Sequence, residues 1–94
     1  MSITVAGFEL DDVNEEKFAL HGVTLRQVLQ VLQNSFLIVP NRRDRTGLYL
    51  LLGRDNGGQC LAIPIQATPE ADIWRPITAW TCKEHERARL NKFE

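Results

Sequence analysis

The residues able to hold or move charge in this chain are few, and their spacing limits what they can do. Arg42, Arg43, Arg45 and Arg54 stand between 42 and 54 against a lone Asp44. Such a patch either touches a few phosphates of a nucleic acid or forms the solvated rim of a hairpin. Arg54 ends one apolar run, and Arg75 lies in another that leads directly into a charged helix. An arginine on a strand can present its planar fork to a phosphate with little entropy loss, or it can pair with a helix acid such as Glu84 or Glu86. His21 precedes Gly22 and serves either as a general base near neutral pH or as a cap on the carbonyls of a helix end. Trp74 and Trp80 are six residues apart, which places them on one face of a regular strand. There they can fill a core, dock a partner or stack RNA bases. His21, His85, Cys60 and Cys82 lack ligand-like spacing, so neither a metal nor another cofactor is expected. Cys82 opens a helix, where thiols acidify, but no histidine and acid accompany it as they would a nucleophile.

These side chains need a scaffold, and local signals outline one. Residues 3–8 suit an edge strand or leading arm. Asp11 or Asp12 caps a helix over about 13–20 with Glu15 and Glu16 in its first turn, and Gly22 stops it. Thr24 and Gln27 form a capping box for a second helix, whose stripe is Leu25, Val28, Leu29 and Leu32 and which ends at Asn34 and Ser35. Four strands follow, over 36–39, 48–53, 59–66 and 73–80. Asp55-Asn56-Gly57-Gly58 joins the middle two as a hairpin. Pro64, without an N–H, marks an edge or a bulge. Thr81, with Glu84 as its partner, caps a last helix that runs to about 91.

Length and composition set the outer bounds. The 94 residues make one domain, and 44% hydrophobic with 24% charged residues is an ordinary globular mixture. No apolar run reaches the roughly 18 residues of a membrane span, and with neither a basic n-region nor a long apolar run in Met1–Val5 no secretory leader is expected. Two unpatterned cysteines then suggest reduced thiols in a cytoplasmic protein. A net charge of −1 leaves any nucleic-acid contact to local patches.

In order and spacing these motifs resemble the BrnT-type toxins of the RelE/ParE-like group of small bacterial ribonucleases. The residues that carry the resemblance are Asn14-Glu15-Glu16, His21-Gly22-Val23-Thr24, Leu52-Gly53-Arg54, Arg75-Pro76-Ile77-Thr78-Ala79 and Glu86-Arg87, over roughly 8–92. The resemblance implies an α+β fold over 1–94: two N-terminal helices, a four-stranded antiparallel meander and a C-terminal helix, RelE-like in plan. It implies the toxin of a type II toxin–antitoxin pair, cutting RNA by its own 2′-hydroxyl without metal. The matched catalytic positions are Arg75, Arg54, His21 and Glu86, with Arg42, Arg43, Arg45 and Trp80 as the RNA contacts. A cognate antitoxin would cover the open sheet face and the helix around Arg87 and Arg89; no membrane partner is implied. Family positions that are usually basic or tyrosine are Leu20, Leu48, Trp80 and Leu90 in this chain. Those replacements define the alternative, a catalytically degenerate protein-binding module on the same scaffold, compatible with a homodimer.

Overall fold

The computed structural model describes residues 3–41 and 47–94. Strand β1 (Gly7–Phe8) leads into helix α1 (Asp12–Leu20). Asp11 accepts from the Asn14 N–H at 3.0 Å while Asn14 accepts from the Asp11 N–H at 3.0 Å, a reciprocal capping box. Helix α2 (Leu25–Gln33) starts on the expected pair: Thr24 N–H donates to Gln27 Oε1 at 2.8 Å, and Gln27 N–H returns to Thr24 Oγ1 at 3.2 Å. Between the helices Gly22 adopts φ +71°, which glycine accepts without a Cβ clash.

Strands β2 (Phe36–Pro40), β3 (Tyr49–Arg54), β4 (Cys60–Ala67) and β5 (Ile73–Pro76) pair antiparallel in succession, as the meander expectation required. Two details differ from it. The sheet is mixed, because β1 joins its far edge parallel to β5. The expected fourth strand is also divided: β5 ends at Pro76, and a separate β6 (Trp80–Thr81) pairs with the other end of β4.

The register shows why. Ile65 pairs with Pro76, but Ala62 pairs with Trp80, so one residue more lies between the pairs on the β5–β6 side than on β4. This is a bulge, and it sits opposite Pro64, which has no N–H to offer there; only its carbonyl is used, by Ile77 N–H at 2.9 Å. Pro64 therefore marks a bulge on a central strand. One extra residue also inverts side-chain parity. Trp74 and Trp80 consequently do not share a face: Trp74 packs with the core beneath α1 and α2, and Trp80 with the core on the opposite side.

Both sheet faces carry helices. On one, Phe18 of α1 and Val28 and Val31 of α2 pack on Leu51, Leu61, Ile63 and Ile65. The buried stripe of α2 thus runs through Val31, and Leu29 turns outward, 40% exposed. Gly53 admits this packing, since a Cβ there would lie 2.5 Å from Val31 Cγ1. On the other face, helix α3 (Glu84–Phe93) sets Leu90 against Leu52, Ala62 and a disulfide between Cys60 and Cys82. The expectation of reduced thiols is overturned. The β4–β6 pairing draws the two Cα atoms to 5.3 Å, a closeness that the sequence separation of 22 does not reveal.

Candidate functional site

The start of α3 decides what the second sheet face offers. The helix begins two residues later than expected, with Lys83 as its N-cap. Thr81 remains in β6, its hydroxyl accepting from Gln59 Nε2 at 3.0 Å, and Glu84 caps nothing. Glu86 takes the capping role: its Oε1 accepts from Lys83 N–H at 2.7 Å and from Trp80 Nε1 at 3.1 Å. At 5% exposure Glu86 is buried by this arrangement, and one carboxylate orders both the helix start and the indole. Arg87 reaches back to the Cys82 carbonyl at 3.2 Å, and the disulfide holds the junction to β4.

Between this helix and the sheet lies a cleft of about 260 Å³. Its floor is Val39, Leu50, Leu52 and Trp80, and its wall is Lys83, His85, Glu86 and Arg89, with Pro40 and Asn41 at one end. Lys83, Glu86 and Arg89 recur at helical spacing, so one face of α3 supplies the wall. Among the described residues neither Lys83 nor Arg89 enters an ion pair. The one carboxylate in the lining is already occupied by Trp80 and Lys83 N–H. With Lys83 and Arg89 against the single carboxylate of Glu86, the described lining carries a cationic surplus over an apolar floor.

The predicted site residues divide around this cleft. Trp80 and Glu86 meet in it. His21 follows α1, and its ring lies edge-on to Trp80 with centroids 6.3 Å apart, which links it to the same cluster from the outside. Arg75 points elsewhere. It holds Asp11 through Nη1–Oδ2 at 2.8 Å and Nη2–Oδ1 at 3.1 Å, and Glu9 through Nη1 at 3.3 Å, tying β5 to the start of α1. Its hydrogen bond, with the Asn14 N–H second, draws the Asp11 carboxyl below its usual pKa, and Asp11 in turn raises that of the guanidinium. Arg54 is held at the far end of β3: Nε pairs with Glu94 at 3.1 Å, Nη1 donates to the Gly58 carbonyl at 2.9 Å, and Nη2 donates to Asn91 Oδ1. Each arginine does pair with carboxylates, though not with Glu84 or Glu86. Arg42, Arg43 and Arg45 lie outside the described residues.

Of the four family positions replaced by apolar residues, Leu90 is buried core and Trp80 floors the cleft, while Leu20 and Leu48 are exposed at 82% and 57%. Lys83 was not among the residues the sequence singled out, and His85 was weighed there only as a metal ligand. The spacing of 83, 86 and 89 carried the signal. Among the described residues no cluster of three or more His, Cys, Asp or Glu could hold a metal, and no helix is long and apolar enough to cross a membrane. No family model matches the chain, and no curated protein matches it either.

Proposed function

We propose that this chain is a protein-binding module built on the plan of BrnT-type toxins. In this reading the cleft beneath α3 receives an acidic segment with an apolar side chain, contributed by a small partner of the antitoxin kind. The observation that carries it is where the charges already lie. Arg75 and Arg54, which would have to stabilise a pentacoordinate phosphate, are each bonded to carboxylates of the chain itself. Lys83 and Arg89, by contrast, enter no ion pair among the described residues and line the cleft with Val39, Leu50 and Leu52. An acidic residue on a partner would gain from those cations, and an apolar neighbour would gain from the floor. The order of motifs along the chain supports the BrnT-like plan, together with two helices, an antiparallel meander and a closing helix.

Induction of the chain alone in a bacterial host tests this. The binding reading expects continued growth and intact RNA, and it expects Lys83→Glu/Arg89→Glu to weaken partner binding without unfolding the domain. The second reading, a metal-independent endoribonuclease restrained by an antitoxin, is favoured by the same two cations lying beside an indole able to stack a base. Growth arrest with cleaved RNA, lost in Arg75→Ala, would establish that second reading in place of the first.

A further inference from the structure

We infer that the outer edge of β2 is a self-association surface, on which a second copy of this chain pairs antiparallel about a two-fold axis at Ile38. Strand β2 ends the sheet, and among the described residues no strand lies on its outer side. The direction of its main-chain groups follows from the register. Asp55 N–H bonds the Gln59 carbonyl across the β3–β4 hairpin, so by alternation residues 53, 51 and 49 turn toward β4 and Leu52 and Leu50 toward β2. Their partners Leu37 and Val39 therefore spend their main-chain groups on β3, while Phe36, Ile38 and Pro40 direct theirs outward.

Those outward groups suit a copy of themselves. Centred on Ile38, each Ile38 exchanges N–H and C=O with its mate, and each Phe36 N–H faces a Pro40 carbonyl. Pro40, with no N–H, limits the ladder to two bonds from the Ile38 pair and one from each Phe36. No charged residue lies in Phe36–Pro40, so apart from Pro40 the edge carries no device against pairing, and it has no charge with which to select a foreign strand. Its flanks are apolar as well: a groove of about 460 Å³ runs along Phe36, Leu37, Ile38 and the half-exposed Phe93. A net charge of −1 opposes association of two copies only weakly. A self-complementary edge of this kind closes as a symmetric dimer. The inference is independent of the proposed function, because it uses the outer edge of β2 and not the cleft.

The test is sedimentation equilibrium from micromolar to millimolar protein, with amide hydrogen exchange at the same concentrations. The expected result is a shift from 10.7 kDa toward twice that mass, 21.4 kDa. The Phe36 and Ile38 amides should slow in proportion to the dimer fraction, while the Leu37 and Val39 amides stay protected throughout. Ile38→Pro removes an outward N–H and no bond within the sheet, so it should remain monomeric at every concentration with its circular dichroism retained. The exchange measurement on the unmodified chain stands even if that variant fails to fold. A monomer at millimolar concentration would overturn the inference, as would a dimer whose Phe36 and Ile38 amides exchange at an unchanged rate. Protection of those amides only on addition of an extended peptide would equally overturn it, in favour of strand addition by another protein.

Discussion

Reduction of the Cys60–Cys82 bridge should lower the stability of this domain by an amount its loop length sets. The bridge spans a sequence separation of 22. The chain-entropy relation for a closed loop of that size gives about 3 kcal/mol at 25 °C, from constraint of the unfolded chain. Both cysteines lie in the core beneath α3, exposed by 3% and 4%, so the reduced thiols would stay packed as small apolar side chains. Most of the effect should therefore appear in the unfolded state. At an unfolding entropy of roughly 2.1 cal/mol/K per residue, a domain of this length loses about 15 °C of melting temperature for that change. Scanning calorimetry of the oxidised protein, the phosphine-reduced protein and Cys60→Ala/Cys82→Ala measures it. Two free thiols in the native protein, or a melting temperature within a few degrees before and after reduction, would refute the reasoning.

Other outcomes follow from single contacts. Gly53→Val drives side-chain atoms into Val31, whose Cγ1 lies 2.5 Å from the first added carbon; it should cost about 1–3 kcal/mol as overpacking, and Val31→Ala should recover part of it in a double-mutant cycle by urea denaturation. Glu86→Ala leaves the Trp80 indole N–H and the Lys83 N–H without their acceptor, at a cost of about 1–3 kcal/mol with a red-shifted Trp80 emission. Arg75 holds Asp11 below the usual carboxylate pKa. For Asp55, burial pushes upward, but the Gln27 amide and the N–H groups of Gln59, Gly57 and Gly58 outweigh it and the net shift is also downward. A depressed folded pKa stabilises above the unfolded value and is lost as pH falls through the folded one, so melting temperature should decline as pH drops below about 4. Arg75→Ala should make that acid decline shallower.

What the sequence revealed was local. The Thr24–Gln27 box, the stop at Gly22 and the turn at 55–58 each depend on neighbours within a few residues, and all three are in place. What it concealed was long-range. The partners of Arg75 are Glu9 and Asp11, 66 and 64 residues away, whereas Glu86, near in sequence, is bonded to Trp80 and the Lys83 N–H. The bulge opposite Pro64 moved Trp80 to the other sheet face and, by pairing β6 with β4, brought Cys82 to Cys60. Strand parity assumed a regular 73–80 and could not foresee an inserted residue. The cleft itself exists only because that bulge and α3 place Trp80, Lys83 and Arg89 over the same part of the sheet.

The central claim, that the cleft binds an acidic protein segment instead of cutting RNA, is tested most directly by Trp80 emission in a Trp74→Phe background, where Trp80 is the sole tryptophan. One titration uses a peptide of alternating glutamate and leucine, and the other a single-stranded RNA oligonucleotide followed for cleavage. The expected result is a saturable, salt-weakened change with the peptide, abolished by Lys83→Glu/Arg89→Glu, and uncut RNA with no comparable change. RNA that saturates the Trp80 signal and is cleaved, while the peptide leaves it unmoved, would contradict it.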